Sequence, residues 1–476
     1  MKVGFSAACI TPRIGKEIPG LFERRIAQGV HDDLFARAVV VDDGRKVVAL
    51  VQTDAIAIPF DIVMKARPLA HKLCGIPESN CMIAVTHTHS GGPTFGGFLS
   101  KEDEGYCRFV TEQVASAIAD AYRVRIPALV GTGAAAADGV AFNRRFVMRN
   151  GLQRTHPGKM NPGIVAPAGP EDPMVTVVGF CEPKTFRPIG CIVNFACHAT
   201  HMNGFLYSAD YVRFVVDTLR AVYGPDFGVA YLNGACGDVT QVDNRSPRPA
   251  EFGEYWCERT GRVIGGGALQ ALTGLDYFSK ATVDRRTSKL WADIRECSPE
   301  AVREARALVR ENKVTAANIE TIYANELLKV EALRREFPYR RLEIMSIRIA
   351  DAMLWGVPGE LFQQFALEVR AASPFPHTCC VELANGFNGY ICTKEAFAGG
   401  GYETRIARSS LLEQDTGENI VRVAKILSRR LYDSAADEVR SLPGKRVWPV
   451  VHDGALDGIQ QMNNGAASKK RPLMNR

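Results

Sequence analysis

Long apolar runs are missing from this 476-residue chain. No stretch approaches the roughly 18 residues that a membrane-crossing helix requires, so no integral membrane segment is expected. The opening MKVGFSAACITPRIGKEIPG has no apolar core of the kind a secretory signal needs. Cysteine pairing signals are missing as well: the thirteen cysteines are odd in number and scattered singly apart from Cys379-Cys380, and none forms a CxxC. That argues against a disulfide framework and fits a reduced, cytoplasmic protein whose cysteines are mostly small core residues. A strong charge of either sign is also lacking, because 58 basic against 52 acidic residues leaves only +6. The one basic cluster, the terminal SKKRPLMNR, reads as a solvated end and not as a nucleic-acid arm. Histidine is scarce, at nine residues, so where histidines gather is informative.

What is present is a large apolar fraction, 46%, enough for a sizeable core. Strand and helix signals alternate without a repeat. ARAVVVDD and KVVALVQTD bracket the turn DDGRK and predict a β-hairpin. Helices are expected over Pro59 to Cys74, with Pro68 kinking or shortening it, and over Gly105 to Arg123. Residues 150–173 hold too much Gly and Pro for either and read as a long ordered loop. Two strands follow in MVTVVGFCE and PIGCIVNFAC, then a helix from about Asp210 to Tyr223. Residues 296–336 have helical period and suggest a helical hairpin whose charges form a solvated face. EIMSIRIADAMLWGVPGE returns to paired strands, and GENIVRVAKILSRRLYD reads as the closing helix. The expectation is an α/β fold of layered mixed β-sheets flanked by helices. It runs as one domain over 1–435, with the helical excursion inside it and a C-terminal extension over 436–476 whose end is disordered.

The stretch MIAVTHTHSGGP places two of the nine histidines, His87 and His89, at the exit of the buried strand Cys81 to Val85. Residues i and i+2 of an extended chain face one side, and the following glycines leave room for a ligand. Two such histidines could equally serve by hydrogen-bonding loop carbonyls. NFACHATHMNG sets His198 and His201 at a second strand exit. A catalytic zinc ion takes imidazole nitrogens together with carboxylate or phenolate oxygen and keeps one position for water. The acidic candidate is Glu360 of LWGVPGELF, which could also be an ordinary helix-start glutamate favoured by the helix dipole.

Taken together, THTHSGG, NFACHATHM, VPGELF and GYICTKEAFAGGGYE resemble the catalytic domain of the neutral/alkaline, non-lysosomal ceramidases, zinc amidases that split the N-acyl bond of ceramide. The resemblance covers about residues 3–433 and implies a ceramidase-like catalytic domain without the family's C-terminal immunoglobulin-like domain. It implies one zinc per chain held by His87, His198, Glu360 and Tyr390. It implies that His89, Arg144 of FNRRF, and Tyr402, twelve residues beyond Tyr390, contact the reacting amide. GDVTQV stands where the family has GDVSPN, so Thr240 keeps a hydroxyl but the Pro-Asn turn is gone. Asp54 and Asp238 are candidates for orienting a metal histidine, and Lys159 in the long loop is a candidate for meeting a substrate carboxylate. The expected activity is zinc-dependent hydrolysis of an amide, with a small soluble amide as substrate and no nucleic-acid partner. Ceramide itself, an ester or lactone, and a non-catalytic binding role are the alternatives, and a homo-oligomer is left open.

Overall fold

The computed structural model describes residues 1–434 and the two-residue strand Arg446–Val447; the remainder of the expected extension 436–476 lies outside the described residues. The β-branched runs pair as expected: Phe35–Asp42 and Val47–Thr53 form the antiparallel hairpin, with Asp43 accepting the turn amides of Arg45 and Lys46. Lys2–Cys9 joins its outer side and Cys81–Val85 lies parallel on the other. A second sheet carries Gly228–Asn233, Pro188–Phe195, Met174–Cys181 and Leu129–Ala136, and a third carries Val283–Asp293, Tyr339–Ile349, Ala352–Gly356 and His377–Val381.

The three sheets turn one face each toward a shared core in which Val39, Leu50, Met82, Val178, Leu232, Ile347 and Val381 pack together. Each sheet's other face is covered by helices: Phe60–Cys74 and Glu104–Arg123 on the first, Tyr211–Tyr223 and Glu254–Thr273 on the second, Gln363–Ala372 and Thr416–Asp433 on the third. Strands buried on both faces explain the near-continuous apolar runs, and each such side chain taken from water contributes about 1.5–3 kcal/mol. No helix among the described residues is long and apolar enough to cross a membrane.

Three local expectations change. The helix Phe60–Cys74 runs through Pro68 without ending; the carbonyl that Pro68 leaves without a donor belongs to Met64, on the exposed side. The 150–173 loop contains the strands Gln153–Thr155 and Ile164–Pro167, which flank Arg145–Met148. The helical hairpin forms, as Pro299–Glu311 and Ile319–Glu336, but it is not simply solvated. Glu326 is buried, and its carboxylate binds Arg408 at 2.8 Å through both oxygens.

Each sheet contains one parallel pair: Val47–Thr53 with Cys81–Val85, Pro188–Phe195 with Gly228–Asn233, and Ala352–Gly356 with His377–Val381. Ligand sites in α/β proteins form beyond the carboxyl ends of such strands, and here the segments that leave those ends meet.

Gly4 tests how tightly this frame is packed. A Cβ there would lie 2.0 Å from the Ala121 carbonyl oxygen at the end of the helix Glu104–Arg123, and backbone cannot swing aside. Gly4→Ala is expected to cost about 2 kcal/mol or more, read as a lower denaturant midpoint; an unchanged midpoint would contradict the packing described.

Candidate active site

His87 and His89 leave the strand Cys81–Val85, and His198 leaves Pro188–Phe195. His87 holds φ +63, a left-handed conformation unusual for a residue with a side chain, of the kind retained where surrounding structure imposes it. The ring nitrogens sort cleanly. Nδ1 of His87 meets the Ile56 carbonyl at 2.7 Å, Nδ1 of His89 the Gly20 carbonyl at 2.9 Å, and Nδ1 of His198 the Cys236 carbonyl at 2.6 Å. A carbonyl only accepts, so each Nδ1 carries hydrogen and the neutral tautomer presents a bare Nε2. Loop carbonyls and a shared cavity, alternatives in the sequence, are thus both realised.

The Nε2 atoms converge, that of His87 lying 3.1 Å from His198 and 3.4 Å from His89. Glu360 Oε2 lies 3.3 Å from His87 Nε2 and 3.4 Å from His198 Nε2, is buried, and has no hydrogen-bond partner. Lone pairs and an orphaned carboxylate oxygen gathered this closely repel one another unless a cation sits among them. The donor atoms of the three histidines lie within 4.8 Å of one another, a group able to hold a metal ion. The titration behaviour of His198 and His89 agrees. Burial, then Arg144 and His87, push His198 down to about 3. Burial and the two neighbouring imidazoles hold His89 well below the ordinary histidine range. Burial also lowers His87, but Glu360 outweighs it and raises the net value, while His87 and His198 draw Glu360 down despite its burial.

Glu360 is not at a helix start. It lies in the short strand Glu360–Leu361, parallel to Tyr390–Ile391, so Glu360 and Tyr390 are register partners. Arg144 is buried, with Nε on Glu403 at 3.0 Å and Nη2 on the Gly237 carbonyl at 2.7 Å. Its guanidinium sits 5.4 Å from the Tyr390 ring centre and 5.2 Å from that of Tyr402. Burial keeps both phenols above their ordinary value and so protonated. These seven residues border one cavity of about 310 Å³, shared with His156, Thr200, Asn203, Thr240 and several phenylalanines. Burial and Arg144 depress His156 to about 4, so it is neutral near pH 7.

Other expected residues serve elsewhere. Asp54 and Asp238 orient no histidine; backbone carbonyls do. Asp54 binds Arg37, Gln52 and the Phe35 amide, and Asp238 binds Asn143 and the Gln363 amide while its own carbonyl takes the Arg144 amide. His201 is buried away from the cavity with both nitrogens spent, on Asp210 at 2.8 Å and Thr260 at 2.9 Å. Lys159 is committed to Glu251 and the Asp243 carbonyl and does not line the cavity.

Two supporting residues are not apparent from sequence. Glu403 binds Arg144, Arg145 and Thr155; its place directly after Tyr402 is the only signal. Glu382 accepts the Cys236 amide at 2.9 Å and the Cys236 thiol at 2.7 Å. Burial pushes it up to about 8 against the pull of His87. A Cβ on Gly237 of that loop would lie 2.5 Å from the Glu360 carbonyl oxygen, so this approach requires glycine.

No protein-family model and no curated protein sequence matches the chain. Among solved structures it is similar to neutral ceramidase from Pseudomonas aeruginosa, with a TM-score of 0.70 and 19% identity over 91% of this chain and 74% of that one. It is equally similar to a ceramidase complexed with C2, at TM-score 0.70 and 19% identity over 91% and 75%. The chain has the neutral ceramidase fold, as its four motifs imply.

The converging donors predict metal uptake. Titrated with zinc after chelation, the protein is expected to bind one ion per chain, with His87→Ala and His198→Ala each weakening binding by at least roughly tenfold. His89→Ala separates two donor sets: retained binding fits His87, His198, Glu360 and Tyr390, and equal loss fits the three histidines. Full affinity in both the His87 and His198 variants would remove the site.

Proposed function

We propose that the protein is a zinc-dependent hydrolase of amide bonds acting on a small soluble amide. The observation that carries this reading is the meeting of three bare Nε2 atoms with the orphaned Glu360 oxygen at the floor of a cavity whose wall holds Arg144 and Tyr402. The fold shared with ceramidases supports it. Zinc held by His87, His198, Glu360 and Tyr390 supplies, when bound, an acidified water and a Lewis acid for the amide carbonyl.

The remaining chemistry belongs to the chain. His89 is neutral, its Nδ1 fixed on the Gly20 carbonyl, so Nε2 is free to accept a proton and to return it to the departing nitrogen. Arg144 and the protonated phenol of Tyr402 donate toward the amide oxygen as negative charge grows there. A donor so fixed lowers the barrier by about 3 kcal/mol. Glu403 keeps the guanidinium in place through Nε. An ester or lactone carbonyl would meet the same groups, so the bond type follows from which leaving group the cavity admits.

The two tyrosines test the roles. Tyr390→Phe is expected to lower zinc occupancy by elemental analysis. Tyr402→Phe is expected to keep its zinc and lose about a hundredfold in kcat toward whichever amide is turned over. The reverse pattern would exchange the two assignments, and no change in either variant would remove both.

A further inference from the structure

We propose that the cavity selects an uncharged amide bearing one compact hydrophobic group, aromatic or branched, and that this group seats against an aromatic wall of Phe22, Phe95, Phe98 and Phe387. This rests on the amide-hydrolase reading above and concerns the part of the substrate remote from the reacting bond.

The wall is built from separate segments and is held rigid. Phe22 and Phe98 pack with ring centres 4.6 Å apart, and Phe95 and Phe387 at 4.7 Å, edge to face; all four line the cavity beside the histidines. Phe98 stands at φ +52, strain that persists only where the surroundings impose it. Those surroundings include the helical excursion. Arg408 donates to the Gly96 carbonyl at 2.9 Å while its other nitrogens are held by buried Glu326, so the loop bearing Phe95 and Phe98 is tied to the helix Ile319–Glu336. Tyr323 of that helix backs the wall, 5.8 Å from Phe22 and 6.3 Å from Phe98, and carries the Arg405 guanidinium 3.7 Å from its own ring centre. Preformed aromatic surface of this kind binds apolar groups without an ordering penalty.

Charge and size narrow the occupant. Among the described lining residues Arg144 and Glu360 are the only Arg, Lys, Asp or Glu. Glu360 faces the imidazoles, and Arg144, paired with Glu403 and given to the reacting carbonyl in the reading above, has no charge left for a second, remote anionic group. A substrate carboxylate would therefore be buried without its own counter-charge. The polar side offers Thr200, Asn203 and Thr240, which suit neutral hydrogen-bonding groups. At about 310 Å³ the cavity lies near the lower end of the roughly 300–1,000 Å³ typical of ligand pockets.

Binding of three probes to the zinc-loaded full chain, followed by calorimetry, tests this independently of turnover: acetohydroxamate, phenylacetohydroxamate and 4-carboxyphenylacetohydroxamate. The phenyl probe is expected to bind about thirtyfold tighter than the acetyl one, and the added carboxylate to lose at least about tenfold. Phe98→Ala and Phe22→Ala are each expected to reduce the phenyl-to-acetyl ratio to below about fivefold. That ratio is internal to each protein, so a lower folded fraction does not distort it. A ratio near one in the unaltered protein, a ratio preserved in both variants, or equal affinity for the carboxylated probe would overturn the proposal. If the ratios hold while no amide is hydrolysed, the wall stands and the hydrolase reading falls; if amides are hydrolysed while the ratios fail, the reverse is true.

Discussion

One buried carboxyl group, that of Glu382, fixes the short loop on which the candidate site is assembled. It grips Cys236 through both the amide and the thiol, and its own amide is tied to the Asn233 carbonyl. The loop then hands out three carbonyls in succession: Cys236 to His198 Nδ1, Gly237 to Arg144 Nη2, and Asp238 to the Arg144 amide. The Gly237 amide bonds the Leu361 carbonyl, beside Glu360. A group held this far from water is costly unless satisfied, and here its satisfaction doubles as alignment. An imidazole, a guanidinium and a carboxylate from different parts of the chain are placed relative to one another by the backbone of three residues, Cys236 to Asp238.

The three sheets contribute equally to this meeting. Each brings a parallel pair whose exits supply one part of the floor or its backing: Ile56, His87 and His89 from the first, His198 with Cys236 behind it from the second, Glu360 with Glu382 behind the loop from the third. The common core of Val39, Leu232 and Val381 behind them keeps the exits at fixed separation, because close-packed interiors do not deform continuously. Orientation through carbonyls, where carboxylates are the more familiar partners, leaves Glu360 as the charged donor among the histidines.

Much of this could be read from the chain alone. The hairpin, the paired strands and the helices at 60–74, 104–123 and 416–433 announce themselves through period and turn residues, and His87, His198 and Glu360 as candidates through strand-end motifs, with Tyr390 named only by the family resemblance. What could not be read depends on contacts distant in sequence. Asp54 and Lys159 look like site residues until Arg37 and Glu251 are seen to occupy them. His201 is indistinguishable from His198 in NFACHATHM, yet a difference of three residues carries it toward Asp210 and Thr260. Glu326 sits in a helix whose charges look uniformly solvated, and only the return of Arg408 from 82 residues away explains its burial. Hydrophobic period reports which face is covered and says nothing about by whom.

The helical excursion has a property that follows from its attachment. Asp293 and Tyr339, which bound it, are direct register partners on adjacent strands, so the sheet would close across that point whatever lay between. The solvent-facing parts of such an insert can vary at little thermodynamic cost to the frame, whereas Val302 and Val330 are packed into the cluster of the third sheet. The excursion backs the aromatic side of the cavity through Tyr323 and through Glu326, which holds Arg408, whereas the floor draws none of its donors from it. The machinery for breaking a bond and the support behind the surface that chooses the molecule therefore have separate mutational histories open to them: one scaffold can alter how its aromatic wall is backed while its donors stay untouched.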